Sequence, residues 1–406
     1  MKSHSAAAPT PIADARPETA GAVHCPHFGP CGGCSFLDQP YADELAVKAE
    51  AFGRVAAAHL DLAGVALRPP LAARAPLFYR TSLKVPFALR RARPVAGFYR
   101  RASHEVVDLE SCAIQHPRLT QLLLLAKECV RELGTPIHDE RSHKGLLRHF
   151  LARVASDTGA CLAGFVVRYD RDRATRKLAE RLLERAAPLG LVGVIENVNR
   201  ERGSQVLGHE SRLLAGRETL RETSDGLVLE TSLTTFAQVN AAQASVLYGE
   251  VERLLGPLAG QGVVDLFSGY GPIALRLARR GARVHAIEYD ARAVAEGRAA
   301  AAANGLAGTL TYAAGDAQRL LREHAAGPAP IDAIVVDPPR RGLSRALVEL
   351  LCTLSVPRLV VVSCFPDTLV RDLGLLSRTY ALRELGTVDL FPRTPHLESF
   401  ALLERR

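Results

Sequence analysis

The sequence predicts two domains: an α+β domain over residues 23–235, and an α/β domain with a doubly wound, mostly parallel, Rossmann-like sheet over residues 236–406. The length of 406 residues exceeds what one hydrophobic core usually organises. Before about residue 236, predicted strands and helices come in runs, whereas after it short apolar strands alternate regularly with helices. Residues 1–22 contain three prolines and no continuous apolar stretch, so we expect a disordered tail.

Within these domains, helices are predicted where apolar residues recur at helical spacing, and strands where short apolar runs end at turn residues. The first domain has predicted helices over 41–60, 117–134 and 174–187, short strands between 76 and 110, and a strand pair over 149–155 and 161–169. The second has predicted strands over 262–267, 283–289, 331–337, 358–364 and 399–404, and helices over 272–280, 291–305 and 345–354. Ligands of a doubly wound sheet bind at the carboxyl ends of its strands, where the motifs below lie.

Positive charge is concentrated in the first domain. The net charge of +8 and the pI near 9.2 favour a polyanionic partner. Nine basic residues and no Asp or Glu occur between Leu62 and His104, namely Arg68, Arg74, Arg80, Lys84, Arg90, Arg91, Arg93, Arg100 and Arg101. A solvated basic face would intersperse acidic residues, so we expect this segment to contact nucleic acid. Without a signal segment or an apolar run that could cross a bilayer, we expect a cytoplasmic protein with no membrane partner.

A glycine-rich turn and an acidic residue indicate a cofactor site. The strand over 262–267 runs into the turn 268–272 and then a helix, and Gly269 and Gly271 let the backbone approach a ligand beside a helix N-terminus. Glu288 ends the next strand, where a carboxylate can accept hydrogen bonds from ribose hydroxyls. This stretch alone fits NAD and S-adenosylmethionine equally well.

The turn Asp337-Pro338-Pro339 favours the second of these cofactors. Two prolines directly after a buried strand make a rigid turn that points Asp337 at the cofactor pocket, and nicotinamide enzymes have no particular need for it. Methyltransferases that act on the amino groups of planar bases use a related turn followed by an aromatic residue, but Arg340 stands in that position here. An exocyclic-amine methyltransferase is therefore an alternative.

Cys364 and Glu398 are the candidate catalytic residues. C5 of uracil becomes nucleophilic when a thiolate adds to C6, and a separate base must then remove the C5 proton. Cys364 ends a buried strand just before a helix, whose N-terminus is expected to lower the pKa of the thiol. The alternatives are a core cysteine at Cys364 and a solvated strand end at Glu398.

These segments resemble the RNA uracil-5-methyltransferase family, and they follow the order of its motifs. The matching stretches are FAQVN at 236–240, DLFSGYG at 265–271, DPPRRG at 337–342, SCFPDTLVRD at 363–372 and HLE at 396–398. The match continues upstream through 97–100 and 147–149. One departure is Phe365, which stands where the family pattern has Asn directly after the cysteine.

The resemblance implies a class I methyltransferase domain that uses S-adenosylmethionine and acts on RNA. It implies Cys364 as the nucleophile that attacks C6 of a uridine, and Glu398 as the base that takes the C5 proton. The cofactor-binding residues that it implies are Gln238, Phe267, Glu288, Asp316 and Asp337. Since C5 and C6 are inaccessible in a base stack, the target uridine is expected to be flipped out.

Four cysteines of the first domain form a candidate metal centre. Cys25, Cys31 and Cys34 are spaced C-x5-C-x2-C, and Cys112 follows later. Four thiolates can hold zinc or a 4Fe-4S cluster, although zinc sites usually have a second C-x-x-C pair, which is missing around Cys112. A subset of the resembled family carries an iron-sulfur cluster at this spacing, so we expect a 4Fe-4S cluster that fixes the RNA-binding domain.

The resemblance to the iron-sulfur subset favours a uridine of 23S ribosomal RNA as the target of a monomeric enzyme. A transfer-RNA uridine-5-methyltransferase is the alternative within the family. An iron-sulfur RNA-binding protein that has lost catalysis is a second alternative, for which Phe365 is the only indication, and a nicotinamide enzyme is a third.

Overall fold

The structure is a computed structural model that describes residues 21–170, 173–203 and 205–406. Up to residue 20, the predicted disordered tail lies outside the described residues. The part before residue 236 contains α1 (Tyr41–His59), β1 (Ala66–Leu67), β2 (Ser82–Arg90), β3 (Arg93–Ala96), α2 (Pro117–Glu132), β4 (Leu147–Val154), β5 (Cys161–Val167), α3 (Arg173–Ala186), β6 (Leu191–Val198), β7 (Glu210–Gly216), β8 (Thr219–Ser224) and β9 (Leu227–Ser232). The three helices predicted there coincide with α1, α2 and α3.

Strands and helices alternate in the second part of the chain. It contains α4 (Ala241–Leu255), β10 (Gly262–Leu266), α5 (Pro272–Arg279), β11 (Arg283–Glu288), α6 (Ala291–Ala303), β12 (Leu310–Ala314), α7 (Ala317–Ala325), β13 (Ala333–Val336), α8 (Arg345–Thr353), β14 (Arg358–Ser363), α9 (Pro366–Leu376), β15 (Tyr380–Val388) and β16 (Glu398–Arg405). Of these, α4, β12, α7 and β15 had no predicted counterpart. Side chains of Asn240, Asp290, Asp316 and Ser344 accept hydrogen bonds from the first turns of α4, α6, α7 and α8, which explains where these helices begin.

The larger sheet has eight strands in the order β1-β15-β16-β14-β13-β10-β11-β12. Strands β10 to β14 are parallel to one another, and β16 lies antiparallel between β14 and β15. The strand order reverses at β10, which pairs with both β11 and β13. The prediction of a doubly wound, mostly parallel sheet is therefore confirmed, and a crevice is expected outside the carboxyl ends of β10 and β13.

The smaller sheet has six strands in the order β3-β2-β4-β5-β6-β7. Helices α2 and α3 pack against it, and their apolar side chains share one buried cluster with β4 and β5. Leu122 of α2, Phe150 of β4 and Phe165 of β5 are all inaccessible to solvent. In the described residues this part of the chain is thus a mixed sheet with helices on it, which is the α+β arrangement that the sequence predicts.

The apolar clusters of the described residues do not divide at residue 235, where the sequence places the domain boundary. Helix α1 buries Ala56 in the apolar cluster of β13 and β14, and β1 extends the larger sheet by pairing with β15. The hairpin of β8 and β9 places Leu227 and Leu229 in the cluster of α4 and α5. These segments precede residue 236 but belong with the larger sheet. The periodicity of the sequence predicts that a helix or strand forms, but it does not predict which apolar core that helix or strand packs against. In the described part of the chain, no helix is long and apolar enough to span a membrane.

Candidate active site and cysteine centre

A cavity of about 850 Å³ opens at the carboxyl edge of the larger sheet, beside the point where the strand order reverses. Seven residues that the sequence singles out line it, namely Gln238, Phe267, Glu288, Asp316, Asp337, Cys364 and Glu398. They come from segments up to 160 residues apart in the chain, counted from 238 to 398. The structure thus brings the predicted cofactor-binding residues and the predicted catalytic residues to one cavity.

The glycine turn forms one wall of this cavity. Phe267, Gly269 and Gly271 all have positive φ angles, of 62°, 58° and 86°. A Cβ atom on Gly271 would lie 2.1 Å from the hydroxyl of Tyr312, so no larger residue fits there. The Gly269 amide donates a hydrogen bond of 2.9 Å to Oε2 of Glu288. The turn and the acidic residue are therefore held against each other at the cavity wall.

Four further residues that the sequence did not predict as site residues also line the cavity. Tyr289 directly follows Glu288 and is 81% exposed at the rim, and Phe236 is 69% exposed there. Arg80 and His396 also line the cavity. Exposed aromatic rings at a cavity rim are suitable for stacking on an unpaired base, but only their exposure in the fold distinguishes them from core aromatics.

Cys364 and Glu398 lie at the adjoining ends of two antiparallel strands. Ser363, the last residue of β14, pairs with Ser399 of β16, so Cys364, which directly follows β14, comes next to Glu398, the first residue of β16. The hydroxyl of Ser399 donates a 2.8 Å hydrogen bond to the carbonyl of Ser363, which reinforces this register. A register of this kind cannot be read from local sequence, because it joins segments that are distant along the chain.

The Glu398 carboxyl is 1% exposed, and its Oε2 atom has no hydrogen-bond partner. Burial, and then the charge of Asp337, raise its pKa well above the usual range, while Arg340 opposes the shift. Burial also raises the pKa of Asp337, to about 6. A carboxylate with a raised pKa is a stronger base, so Glu398 is suited to accept a proton from carbon.

The expectation that a helix N-terminus lowers the pKa of Cys364 is wrong for this structure. Burial raises the pKa of the thiol, the negative charges of Glu398 and Asp337 raise it further, and Arg340 lowers it. Helix α9 begins just after Cys364, but burial and the two carboxylates outweigh the effect of its N-terminus. A positive charge in the cavity would favour the thiolate.

The loop from Asp389 to Arg393, which leads to Glu398, is held by α1. Lys48 of α1 lies 3.0 Å from Asp389 and 2.7 Å from Glu44, and these three side chains are at most 2% exposed. The backbone amide of Arg393 donates a 2.6 Å hydrogen bond to Glu44. A buried ionic network thus fixes the approach to the candidate base.

The four predicted metal ligands lie together near this loop. All four are free thiols, with Cys31 and Cys34 buried and Cys25 and Cys112 partly exposed. Burial and then the charges of Cys112 and Cys31 raise the pKa of Cys34 to about 12. The Gly33 amide donates to the Cys31 sulfur at 3.4 Å. Thiols that lie together without forming disulfides are a suitable donor set for a soft metal.

The cysteine segment contacts the loop that leads to Glu398. The amides of Ser35 and Phe36, directly after Cys34, donate hydrogen bonds of 2.7 and 3.3 Å to the carbonyl of Arg393. Arg101 donates a 2.7 Å hydrogen bond to the carbonyl of Cys34. The cysteine centre therefore adjoins both the loop that leads to the candidate base and the basic segment.

Within the basic segment, the hairpin of β2 and β3 exposes Arg90, Arg91 and Arg93, and the loop after it exposes Arg100 and Arg101. Arg80 instead is turned inward and lines the cavity. A basic surface that continues into the cavity is suitable for a nucleic acid whose reacting base enters the site.

The family model described as tRNA (Uracil-5-)-methyltransferase matches residues 195–406. An uncharacterized RNA methyltransferase of Halalkalibacterium halodurans is 33% identical over 381 residues, which is 94% of this chain and 82% of the relative. An uncharacterized RNA methyltransferase of Gloeobacter violaceus is 37% identical over 384 residues, again 94% of this chain and 82% of the relative. Similarity to proteins of this kind thus extends over both sheets.

A solved structure shares the fold over nearly the same extent. It is the tRNA (uracil-54, C5)-methyltransferase of Pyrococcus abyssi, crystallised in complex with S-adenosyl-L-homocysteine. The two structures agree with a TM-score of 0.74 at 23% sequence identity, covering 93% of this chain and 86% of that chain. At this identity the likeness concerns the fold.

Proposed function

The chain belongs to the tRNA (uracil-5-)-methyltransferase family, and we propose that it methylates C5 of a uridine in 23S ribosomal RNA with S-adenosylmethionine. RNA uracil-5-methylation with this cofactor is the activity of the family. The target RNA, the roles of individual residues, the iron-sulfur centre, a monomeric state and a cytoplasmic location are the parts that we add. The observation that carries the mechanism is the register that sets Cys364 next to Glu398.

In this mechanism Cys364 is the nucleophile. Its thiolate adds to C6 of the uracil, and the electron pair of the C5–C6 bond makes C5 nucleophilic. When bound, S-adenosylmethionine would supply an electrophilic methyl group on a positively charged sulfur and would leave as S-adenosylhomocysteine once that group is transferred. Once C5 carries the methyl group, Glu398 accepts the C5 proton, the C5–C6 double bond forms again, and the thiolate of Cys364 leaves. The raised pKa of the Glu398 carboxyl suits it to this proton transfer.

Five cavity residues are proposed to hold the cofactor. Glu288 would accept hydrogen bonds from ribose hydroxyls, and the strained turn at Phe267 brings backbone close to the ligand. Gln238, Asp316 and Asp337 complete the cofactor surface. A cationic sulfur near Asp337 would offset the carboxylate charges that raise the pKa of Cys364, so cofactor binding and thiol ionisation support each other.

Cys25, Cys31, Cys34 and Cys112 are proposed to bind a 4Fe-4S cluster. In a tetrahedral zinc site, Zn–S bonds of roughly 2.3 Å put sulfur atoms about 3.8 Å apart. Among the described residues, no three cysteine sulfurs lie within 4.8 Å of one another. Wider separations suit a cluster in which each thiolate binds a different iron, and backbone amides near Cys31 and Cys112 suit its sulfur ligands. The cluster would brace the cysteine segment against the loop that leads to Glu398.

Ribosomal RNA is the favoured substrate because the cysteine centre matches the iron-sulfur subset of the family. Transfer RNA is the second candidate, because the Pyrococcus abyssi protein of the same fold is named for a transfer-RNA uridine. Mapping 5-methyluridine in both RNAs, from cells with and without the gene, separates them. Loss of 5-methyluridine from 23S ribosomal RNA is expected, loss from transfer RNA alone would move the proposal to that substrate, and no loss would leave an RNA-binding protein without catalysis.

Glu398→Gln and Cys364→Ala test the chemistry directly. The Gln variant can form the thiol adduct and methylate C5 but cannot remove the proton, so a covalent protein–RNA complex is expected to accumulate. Denaturing gels and mass spectrometry of the digested complex would place RNA on Cys364. The Ala variant should form no complex and no 5-methyluridine. Methylation by Cys364→Ala, or failure of Glu398→Gln to trap RNA while wild type methylates it, would contradict the assigned roles.

A further inference from the structure

Three potential metal ligands meet in the turn between α2 and β4, and none of them lines the cavity or belongs to the four cysteines. His138, Glu140 and His143 each offer a ligand atom, and these atoms lie within 4.8 Å of one another. The sequence spacing is H-x-E-x-x-H, so a single turn carries all three. Neither the cofactor site nor the cysteine centre uses any of them.

The backbone of this turn is tightly built. His143 donates its amide to the carbonyl of Asp139 at 2.8 Å, and Ser142 donates to the Asp139 side chain at 2.7 Å. A Cβ atom on Gly145 would lie 2.0 Å from the carbonyl oxygen of Ile137, so the turn closes in a way that only glycine allows. His143 itself has φ of 53°, a left-handed conformation that costs a non-glycine residue energy and that often marks a functional position.

His138 is the enclosed member of the set. Its side chain is 2% exposed. Its Nε2 atom lies 3.7 Å from Oε2 of Glu140, too far for a good hydrogen bond. Metal–nitrogen and metal–oxygen bonds of roughly 2.0–2.2 Å put neighbouring ligand atoms about 3.4 Å apart in a tetrahedral site. The observed separation is close to that value.

Arg148 orients the carboxylate. Its Nη2 atom lies 3.1 Å from Oε1 of Glu140, and Nη1 donates to the carbonyls of Asn199 and Glu201 at 2.9 and 2.8 Å. Oε2 is left facing His138, as in metal sites whose ligands are held by an outer layer of hydrogen bonds. A set of two imidazoles and a single carboxylate disfavours hard cations such as Mg²⁺ and Ca²⁺, which rely on several oxygen ligands, and favours ions that prefer imidazole.

We propose that His138, Glu140 and His143 bind one divalent first-row transition ion, zinc being the ion whose chemistry fits best. Two imidazoles and one carboxylate are a common zinc donor set that leaves a fourth position open. The ion would tie His143 to the buried His138 and rigidify the turn beside Arg148. This inference does not depend on the proposed methyltransferase mechanism.

Titration of the purified full-length protein with Co²⁺ under anaerobic conditions tests the site. Cobalt held by imidazole and carboxylate gives weak visible d–d bands, whereas thiolate-bound cobalt adds strong sulfur-to-metal charge-transfer bands. Signals from the cysteine centre are therefore distinguishable. We expect one equivalent of Co²⁺ to bind without charge-transfer bands, and we expect Zn²⁺ but not Mg²⁺ to displace it. Absence of d–d bands in the wild-type protein would overturn the proposal.

His143→Asn is the informative variant, because asparagine tolerates positive φ but is a poor metal ligand. It should weaken Co²⁺ binding by more than the roughly 10- to 100-fold cost of replacing an outer residue of a metal site. His104→Asn, at an exposed histidine of the same part of the chain, is the matched control and should bind as wild type does. If His143→Asn fails to fold, Glu140→Gln at a half-exposed side chain removes the anionic ligand instead. Binding equal to wild type in the folded variant would overturn the proposal.

Discussion

Replacing Lys48 by methionine removes a buried cation that is in contact with both Glu44 and Asp389. Methionine preserves the apolar stem of the side chain, so the loss is mainly electrostatic. Glu44 and Asp389 are fully buried and would be left without this partner. We therefore expect Lys48→Met to destabilise the protein strongly.

The expected magnitude follows from burial. Removing one partner of a buried ion pair typically costs about 3–5 kcal/mol, because the remaining charge stays desolvated. The Glu44 and Asp389 carboxylates keep several other hydrogen bonds, so we expect a loss of stability at the lower end of this range, about 3 kcal/mol. The same helix provides a control with identical spacing, Arg54 and Glu50, whose side chains are 73% and 70% exposed. Arg54→Met should cost about 0.5 kcal/mol or less.

The loss of stability caused by Lys48→Met should depend on pH. Burial raises the pKa of Glu44 above its usual 4.5, and Lys48 opposes that shift, so the variant carboxyl holds its proton more tightly in the folded state. Folding then takes up a proton, and stability falls as pH rises above about 4.5 toward the folded-state pKa. The difference between variant and wild type should therefore be small in acid and largest near neutral pH.

Urea unfolding followed by far-UV circular dichroism measures these differences, since the chain has no tryptophan. Midpoints of wild type, Lys48→Met and Arg54→Met would be compared at acidic and at neutral pH. The reasoning from burial would be refuted if the two variants were equally destabilised. It would also be refuted if the loss of stability of Lys48→Met were larger in acid than at neutral pH.

Three further predictions concern the active-site edge. Phe365 is the N-cap residue of α9 and makes no side-chain cap hydrogen bond, so Phe365→Asn should raise the urea midpoint by the equivalent of about 1 kcal/mol. An unchanged midpoint would show that the missing cap does not cost stability. Gly271→Ala should cost at least about 2 kcal/mol because of its positive φ and the steric clash, whereas Gly53→Ala in open space on α1 should stabilise by about 0.5–1 kcal/mol; similar effects of the two would contradict this. Since the pKa values of Cys364 and Glu398 are both raised and both groups act deprotonated, kcat/KM for methyl transfer should increase from about pH 6 to pH 9, and a decrease over that range would count against the proposed roles.

Much of the cavity could be predicted because its residues follow parallel strands. Phe267, Asp337 and Cys364 come directly after, or close to, the ends of β10, β13 and β14, and Glu288 ends β11. Parallel strands bring their carboxyl ends to one edge, so a local pattern was enough to place these residues together. Glu398 begins an antiparallel strand, and local pattern alone favoured a solvated end residue. Its position depends on the pairing of β16 with β14 and on the loop held by α1.

Periodicity, glycine positions and donor types are local properties, and the amino-acid sequence alone specified the alternating sheet, the glycine turn and the set of four cysteines. Burial is not local. Glu44 and Lys48 have the same spacing on α1 as Glu50 and Arg54, yet only the first pair is enclosed, because long-range packing places Asp389 against it. The same holds at Cys364, where the local helix predicts a lowered thiol pKa, but burial and then the surrounding carboxylates raise it. Electrostatic energies depend on the solvent excluded around each charge, and that exclusion exists only once the chain has folded.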